Sequence, residues 1–569
     1  MKSFVTFRKL PYERPDPTRL ARVSRRLSRQ AKYTVAAKFR ELANDFTDQV
    51  TEWESMENLC YLHCAEKNPE PFWLEEKAFF ESNREHIYKT IRTTLFEIAR
   101  NQRDFDWESV GETALLNEAL AQAQIYSESL PEHMAREAEL EAEAARLFND
   151  FTVTVERPEA TEISDSPARK EYNIANLRDA LRDPDRQYRE SFLAVLPRAA
   201  EPVETEFSRC YDALVRERRE MARAADMAYV DFNLKSRRQI DYTAENLQDF
   251  CHDVLDAFSP IIAEMRRLQT RRLNTDRITL MNADFMIPEG DVSCDQSAEA
   301  MIPEFFSRLQ KMIGEGAEQL GLLMRTGYCS FDDMFRVRYG NRKRILPKWQ
   351  KVYLNLPLFK QPFPLAKLHH HIGLSLSDLA GVLNFQGLRA YEQPDVIRET
   401  CGIALVFLGY RDADVFYDQY TDLYYEMFLT RLVMNLPEAC MRHLFESRVY
   451  GKAEKNADYA AMWAELRRKY DQQIELTPFF ENGGDWFLDM DLFDRPLSSL
   501  NRVLALITIL AERPHRDRRN RLEKKLNLLL TSNPNLPILN RLEHAGFASP
   551  FASETLKLAA FTVCDILNL

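Results

Sequence analysis

One spacing runs through most of this chain and limits what it can fold into. From about Thr18 to Asn149, charged and apolar residues alternate every three to four positions, as in "SRRLSRQAKYTVAAKFRELANDFTDQVTEWESM". That period places one apolar stripe on each of several successive α-helices. Glycine, the usual helix breaker, occurs only 16 times in 569 residues, while Ala, Leu, Glu and Arg recur at helical spacing to the C-terminus. The expected class is therefore mainly α, with sheet as a minor part.

The period changes at "FTVTVERPEATEISDSP", 151–167, which alternates every two residues and ends in Ser, Asp and Pro. It reads as a strand and a loop. The expected organisation is an N-terminal helical lobe over 1–150, a strand and loop connection over 151–170, and a larger helical lobe over 171–569. Within that lobe a turn is expected at Asp183–Pro184, and helices at about 243–274 and 296–324. The richest strand and turn signals follow, and "KVYLNL", 351–356, reads as a strand. Beyond it the helical spacing returns, interrupted by "TPFFENGGDW" at 477–486. No internal repeat or low-complexity segment is present.

Hydrophobic residues make up 45% and charged residues 29%, enough to bury a large core under a polar surface. A net charge of −12 argues against nucleic-acid binding, which rests on Lys and Arg neutralising phosphates. The basic stretch "HRDRRNRLEKK", 515–525, is interleaved with acids and reads as a solvated face. Nine scattered cysteines, the closest pair being Cys60 and Cys64, and a start without an apolar leader suggest reduced thiols and a cytoplasmic setting. The late apolar run Val503–Ala511 is far shorter than the ~20 residues that cross a bilayer, so no membrane is expected as a partner. Aromatics at helical spacing in "DVFYDQYTDLYYEMF", 414–428, read as core filling.

Four pieces of the sequence resemble the oligoendopeptidase F and thimet oligopeptidase group of zinc metallopeptidases. "NLRDALRDPDRQYRESF" is similar to that family's lead into its main lobe, and "DALVRERREMARAADM" to the helix that follows. "KVYLNL" resembles its substrate-binding edge strand, and "MRHLFE", 441–446, a segment beyond its zinc helix. Order and spacing agree over roughly residues 80–510. The resemblance implies an oligopeptidase (gluzincin) fold, with a small β-sheet beside a deep cleft.

The family's zinc helix carries H-E-x-G-H: two histidines at i and i+4 hold the metal, and the Glu is the general base. "KLHHHIGLSLSD", 367–378, holds three of the ten histidines. Aligned on Gly373, it keeps the first ligand as His370, replaces the base with His371 and the second ligand with Leu374. The third ligand, 25 residues further on, falls on Glu399. The degenerate zinc helix is expected at about 366–380. Adjacent helical residues point about 100° apart, so neighbouring histidines cannot replace an i, i+4 pair. A shifted site of His371, Asp378 and Glu399 is the conceivable substitute. In the family's I-P-H-F-Y motif, His and Tyr stabilise the oxyanion; here "TPFFE", 477–481, places Phe479 and Glu481 at those positions. The glycine-rich loop before the edge strand is altered to "YGNRKRI".

The resulting expectation is a catalytically degenerate protein that retains a cleft for a peptide or an extended protein segment, with Tyr353 and Asn355 on the edge strand as peptide-binding residues. His370 and Glu399 are residual metal positions, and no cofactor is expected. Two other readings are a divergent metallopeptidase with a displaced zinc site, and a helical scaffold with a filled cleft that binds a protein partner.

Overall fold

The computed structural model describes residues 5–30, 36–66, 68–101, 113–156, 169–183, 185–288, 292, 298–331, 344–356, 363–384, 387–451, 457–470, 473–514 and 519–569. The "YGNRKRI" loop lies outside them up to residue 343. So do residues 157–168, 515–518 and Pro184, which belong to the connection, the basic stretch and the expected turn.

The helical spacing of the N-terminal half becomes α1 (Pro17–Gln30), α2 (Ala36–Cys64), α3 (Pro71–Arg100), α4 (Thr113–Ala123) and α5 (Leu130–Asp150). A separate hydrophobic cluster fills the first four, from Leu20 through Phe46, Trp53 and Phe80 to Ala119, and takes in one distant residue, Leu388. Leu140, Ala144 and Phe148 of α5 instead belong to the main core.

A strand forms at the start of the expected strand and loop: β1 (Thr152–Glu156) pairs antiparallel with β2 (Arg169–Asn173) and buries Val153 and Val155. The long α6 (Arg186–Ala224) starts at Asp185, whose side chain caps the Gln187 amide. Arg218 of α6 is fully buried, with Nε 2.7 Å from Glu137 and Nη2 3.2 Å from Glu141, which ties α5 to α6. Next come α7 (Ala244–Arg272), begun by a Thr243–Asn246 capping box, α8 (Ala298–Ile313) and α9 (Glu315–Arg325).

Among the described residues the remaining strands are short: β3 (Cys329–Ser330) runs parallel to β6 (Leu354–Asn355), and β4 (Ile345–Leu346) runs antiparallel to β5 (Lys351–Val352). The two helices that carry the site follow, α10 (Pro364–Asn384) and α11 (Asp395–Leu408). The rest of the main core is built by α12 (Thr421–Met434), α13 (Leu436–Gly451), α14 (Ser499–Leu510), α15 (Arg519–Leu530), α16 (Ile538–His544) and α17 (Ser553–Leu567).

Within α13, "MRHLFE" buries two ionisable groups three residues apart. Burial pulls His443 down to about 4. Burial pushes the Glu446 carboxyl up to about 8, against the Leu497 amide 2.8 Å away and the charge of Arg442. The basic stretch differs from its solvated-face expectation at Lys525. That residue is buried, lies 2.7 Å from Glu512 and donates to the Gly546 carbonyl, because Leu522 and Leu526 draw its helix into the core.

A charged cluster joins the two hydrophobic clusters. Arg389 binds Glu54 at 2.6 Å and lies 3.5 Å from Glu118; Arg238 pairs with Glu118 and reaches the Arg389 carbonyl at 3.4 Å. Tyr391 donates to Glu54 at 2.6 Å.

Candidate active site

Helix α10 opens on Pro364, a residue suited to a first turn because its missing amide would have no partner there. Its apolar residues leave little polar face, and nearly every position from Leu365 to Val382 is buried. α11 is buried from Thr400 to Leu408. The two helices cross at glycines: a Cβ at Gly373 would meet the Cys401 carbonyl oxygen and the Gly402 Cα at 2.6 Å each. A Cβ at Gly402 would meet His370 Cδ2 at 2.7 Å. Gly373, which sets the sequence alignment, is thus the contact that lets α11 approach.

That approach brings together the two residual ligand positions. His370 Nε2 donates to Glu399 Oε2 at 2.8 Å, with the side chains 11% and 15% exposed. Burial alone would raise the Glu399 carboxyl, but His370, Arg502 and Arg495 override it and hold it down at about 2. Burial likewise depresses His370, offset in part by Glu399. The pair is a carboxylate accepting from a neutral imidazole.

The other positions of the family pattern lie around this pair. Leu374, one turn along, is buried at 7% exposure. His371 is half-buried with its ring 5.6 Å from that of His370, and burial and the nearby His370, Arg344 and Lys367 hold it well below its ordinary range. Asp378, needed for the shifted site, is held by both oxygens: Arg398 Nε binds Oδ1 at 2.8 Å and Nη2 binds Oδ2 at 3.1 Å. Among the described residues no three His, Cys, Asp or Glu side chains converge to share a metal ion.

His369, the third histidine, belongs to the core. Its Nδ1 donates to the Leu365 carbonyl at 2.9 Å, its ring meets Phe305 edge-on at 4.7 Å, and burial lowers it to about 4. The aromatics of 414–428 pack on this side, where Tyr424 accepts from the Ala366 amide at 2.9 Å and stacks on Tyr417. A void of only about 10 Å³ is left among them, scarcely the space of one water.

In the 477–481 segment, Pro478–Glu481 forms one helical turn. Phe479 is half-buried over Gly484, where a Cβ would come within 2.5 Å of the ring, and Glu481 is exposed. The Phe480 carbonyl accepts from Arg467, which is itself paired with Asp485 at 2.7 and 2.6 Å. No hydrogen bond or ion pair among the described residues joins this turn to α10. A surface groove of about 460 Å³ opens beside the preceding residues, lined by Arg266, Arg267, Arg277, Gln473 and Glu475.

On β6 the amides of Leu354 and Leu356 donate to the Tyr328 and Ser330 carbonyls at 2.8 Å each. The alternation of a strand turns the main chain of Asn355 to the opposite edge, where no described strand pairs with it. The Tyr353 amide is already bound to the Arg344 carbonyl, and its hydroxyl donates inward to Cys329 at 3.0 Å. Asn355 is 4% exposed, and its Oδ1 has no partner among the described residues.

The site thus sits in a mainly α-helical body with minimal sheet. Three solved structures share it: an oligoendopeptidase F (TM-score 0.84, 17% identity, 99% of each chain covered), PZ peptidase A with an inhibitor (0.85, 17%, 99% of each), and an oligoendopeptidase F from Bacillus anthracis (0.79, 16%, 99% of this chain and 98% of that one). The chain has the oligoendopeptidase F fold over its whole length. No family model and no curated protein matches the sequence, so the likeness rests on the fold.

Proposed function

We propose that this chain is a catalytically degenerate protein of the oligoendopeptidase F fold that binds an extended peptide or protein segment. The observation that carries the reading is the direct 2.8 Å hydrogen bond between His370 and Glu399, beside Leu374. Zinc takes four ligands at ~2.0–2.3 Å, three of them from the protein in a hydrolytic site. Two donors bonded to each other, with an alkyl chain at the third position, do not fit that ion. His371 is a poor substitute for a carboxylate base, since burial and the cations around it oppose its taking up a proton. Phe479 has no donor to offer an oxyanion, and an ionised Glu481 would only accept.

Binding asks less of side chains than catalysis does. An extended segment adds to a sheet edge through main-chain hydrogen bonds, and the edge at Asn355 has a buried acceptor waiting beside it. A quenched-fluorescence library of short peptides tests the reading. No cleavage is expected, while unlabelled extended peptides compete for a labelled one in an anisotropy assay. Chelator-sensitive cleavage overturns the proposal.

A divergent metallopeptidase is the second reading, favoured by the persistence of His370 and Glu399 side by side. It requires zinc, and about one zinc per purified chain in elemental analysis decides for it even when no library peptide is cut.

A further inference from the structure

Arg541 of α16 is fully buried, and among the described residues no carboxylate pairs with it. Its Nε donates to Ser532 Oγ and its Nη2 to Gln393 Oε1, both at 2.8 Å. Among the described residues its Nη1 is buried without a partner, and so is the Nε2 of Gln393, the same side chain that accepts from Nη2. No ion pair of the described residues includes Arg541. Burial draws the guanidinium down only to about 10, so it stays a cation. Gly381 of α10 lets the Tyr391 carbonyl and the amide pack close on this side: a Cβ there would stand 2.2 Å from the Tyr391 oxygen and 3.0 Å from Gln393 Nε2. The fully buried Cys401 of α11 lies near enough for Arg541 to pull against the burial that raises its thiol.

Buried charges in proteins are paired or bind an ion, and each orphaned buried group needs an account. Here both orphans are donors, on neighbouring side chains, and one carries an uncompensated positive charge. A water accepting from both would add no charge and would need acceptors for its own two hydrogens. A small anion accepts from both and neutralises the guanidinium. We infer that Arg541 and Gln393 form an enclosed site for a small monovalent anion of the halide class, on the far half of α10 from His370.

The thermal midpoint of the full chain tests this at fixed ionic strength, with potassium gluconate replaced stepwise by chloride or bromide. A saturable rise of about 2 °C is expected for both halides. Arg541→Met should abolish the halide dependence, and Gln393→Leu should raise the half-saturating concentration roughly tenfold. Should Arg541→Met fail to fold, the Gln393→Leu shift and an anomalous bromide peak between the two side chains in a crystal carry the test. Equal midpoints in gluconate and halide overturn the site, as does a full halide response in Arg541→Met or a water in place of bromide.

Discussion

Gly373 and Cys401 hold the two site helices closer than any other residue at 373 would allow, since a methyl group there would stand 2.6 Å from the Cys401 carbonyl oxygen. Backbone cannot move aside as a flexible side chain does. Gly373→Ala is expected to cost about 1–3 kcal/mol, read from urea unfolding, through the separation of α10 from α11. An unchanged midpoint would show that the helices part freely.

The same crossing gives a way to rebuild what is missing. Leu374→His combined with His371→Glu would restore the H-E-x-G-H pattern with Glu399 in reach of His370. The double variant should hold about one zinc per chain by elemental analysis, and the parent is expected to hold none. Peptide hydrolysis should stay absent, because Phe479 and Glu481 still lack oxyanion donors.

Glu446 predicts a pH slope. Its folded pKa of about 8 lies above the ordinary 4.5. The native state therefore keeps a proton that the unfolded chain gives up, and stability present below about 4.5 is lost as pH rises through 8. Glu446→Gln keeps an acceptor for the Leu497 amide and removes the titration. The variant should gain on the parent with rising pH, by about 4 kcal/mol at most near pH 8, in unfolding curves across that range. His443, depressed to about 4, acts in the opposite sense: its contribution is complete above about 6.5 and falls away toward pH 4.

Asn355 separates binding from stability. Its Oδ1 has no partner among the described residues, so Asn355→Leu should leave the unfolding free energy within about 0.5 kcal/mol of the parent. If that oxygen receives a donor from a bound segment, the same change should weaken binding roughly tenfold by anisotropy. Tyr353→Phe should do the reverse, losing about 1 kcal/mol of stability with the Cys329 bond and leaving binding intact.

Much of the site could be read along the chain because its information is spacing. The helical period and the 25 residues between Leu374 and Glu399 survive translation into structure, and His370 and Glu399 do meet. The single strand expected over 351–356 breaks at Tyr353, which stands between β5 and β6 and faces inward, since a short strand in an irregular region gives no alternation to read. The role of Lys525 was hidden for a similar reason: a lysine among arginines carries no mark of the buried Glu512 it binds. Arg541 left no signal at all, because an unpaired guanidinium is defined by what three distant segments fail to supply. The double glycine at 483–484 was the one signal near Phe479, since a glycine can mark a close approach to backbone, and here a Cβ at Gly484 would meet the Phe479 ring at 2.5 Å.

Leu388 and Arg389 follow α10 by only a few residues, yet one completes the core of the first four helices and the other grips Glu54. A protease that cuts between residues 101 and 113 or after residue 156 would therefore release no freely diffusing fragment. The nicked chain should elute from a sizing column as one particle and melt in one step.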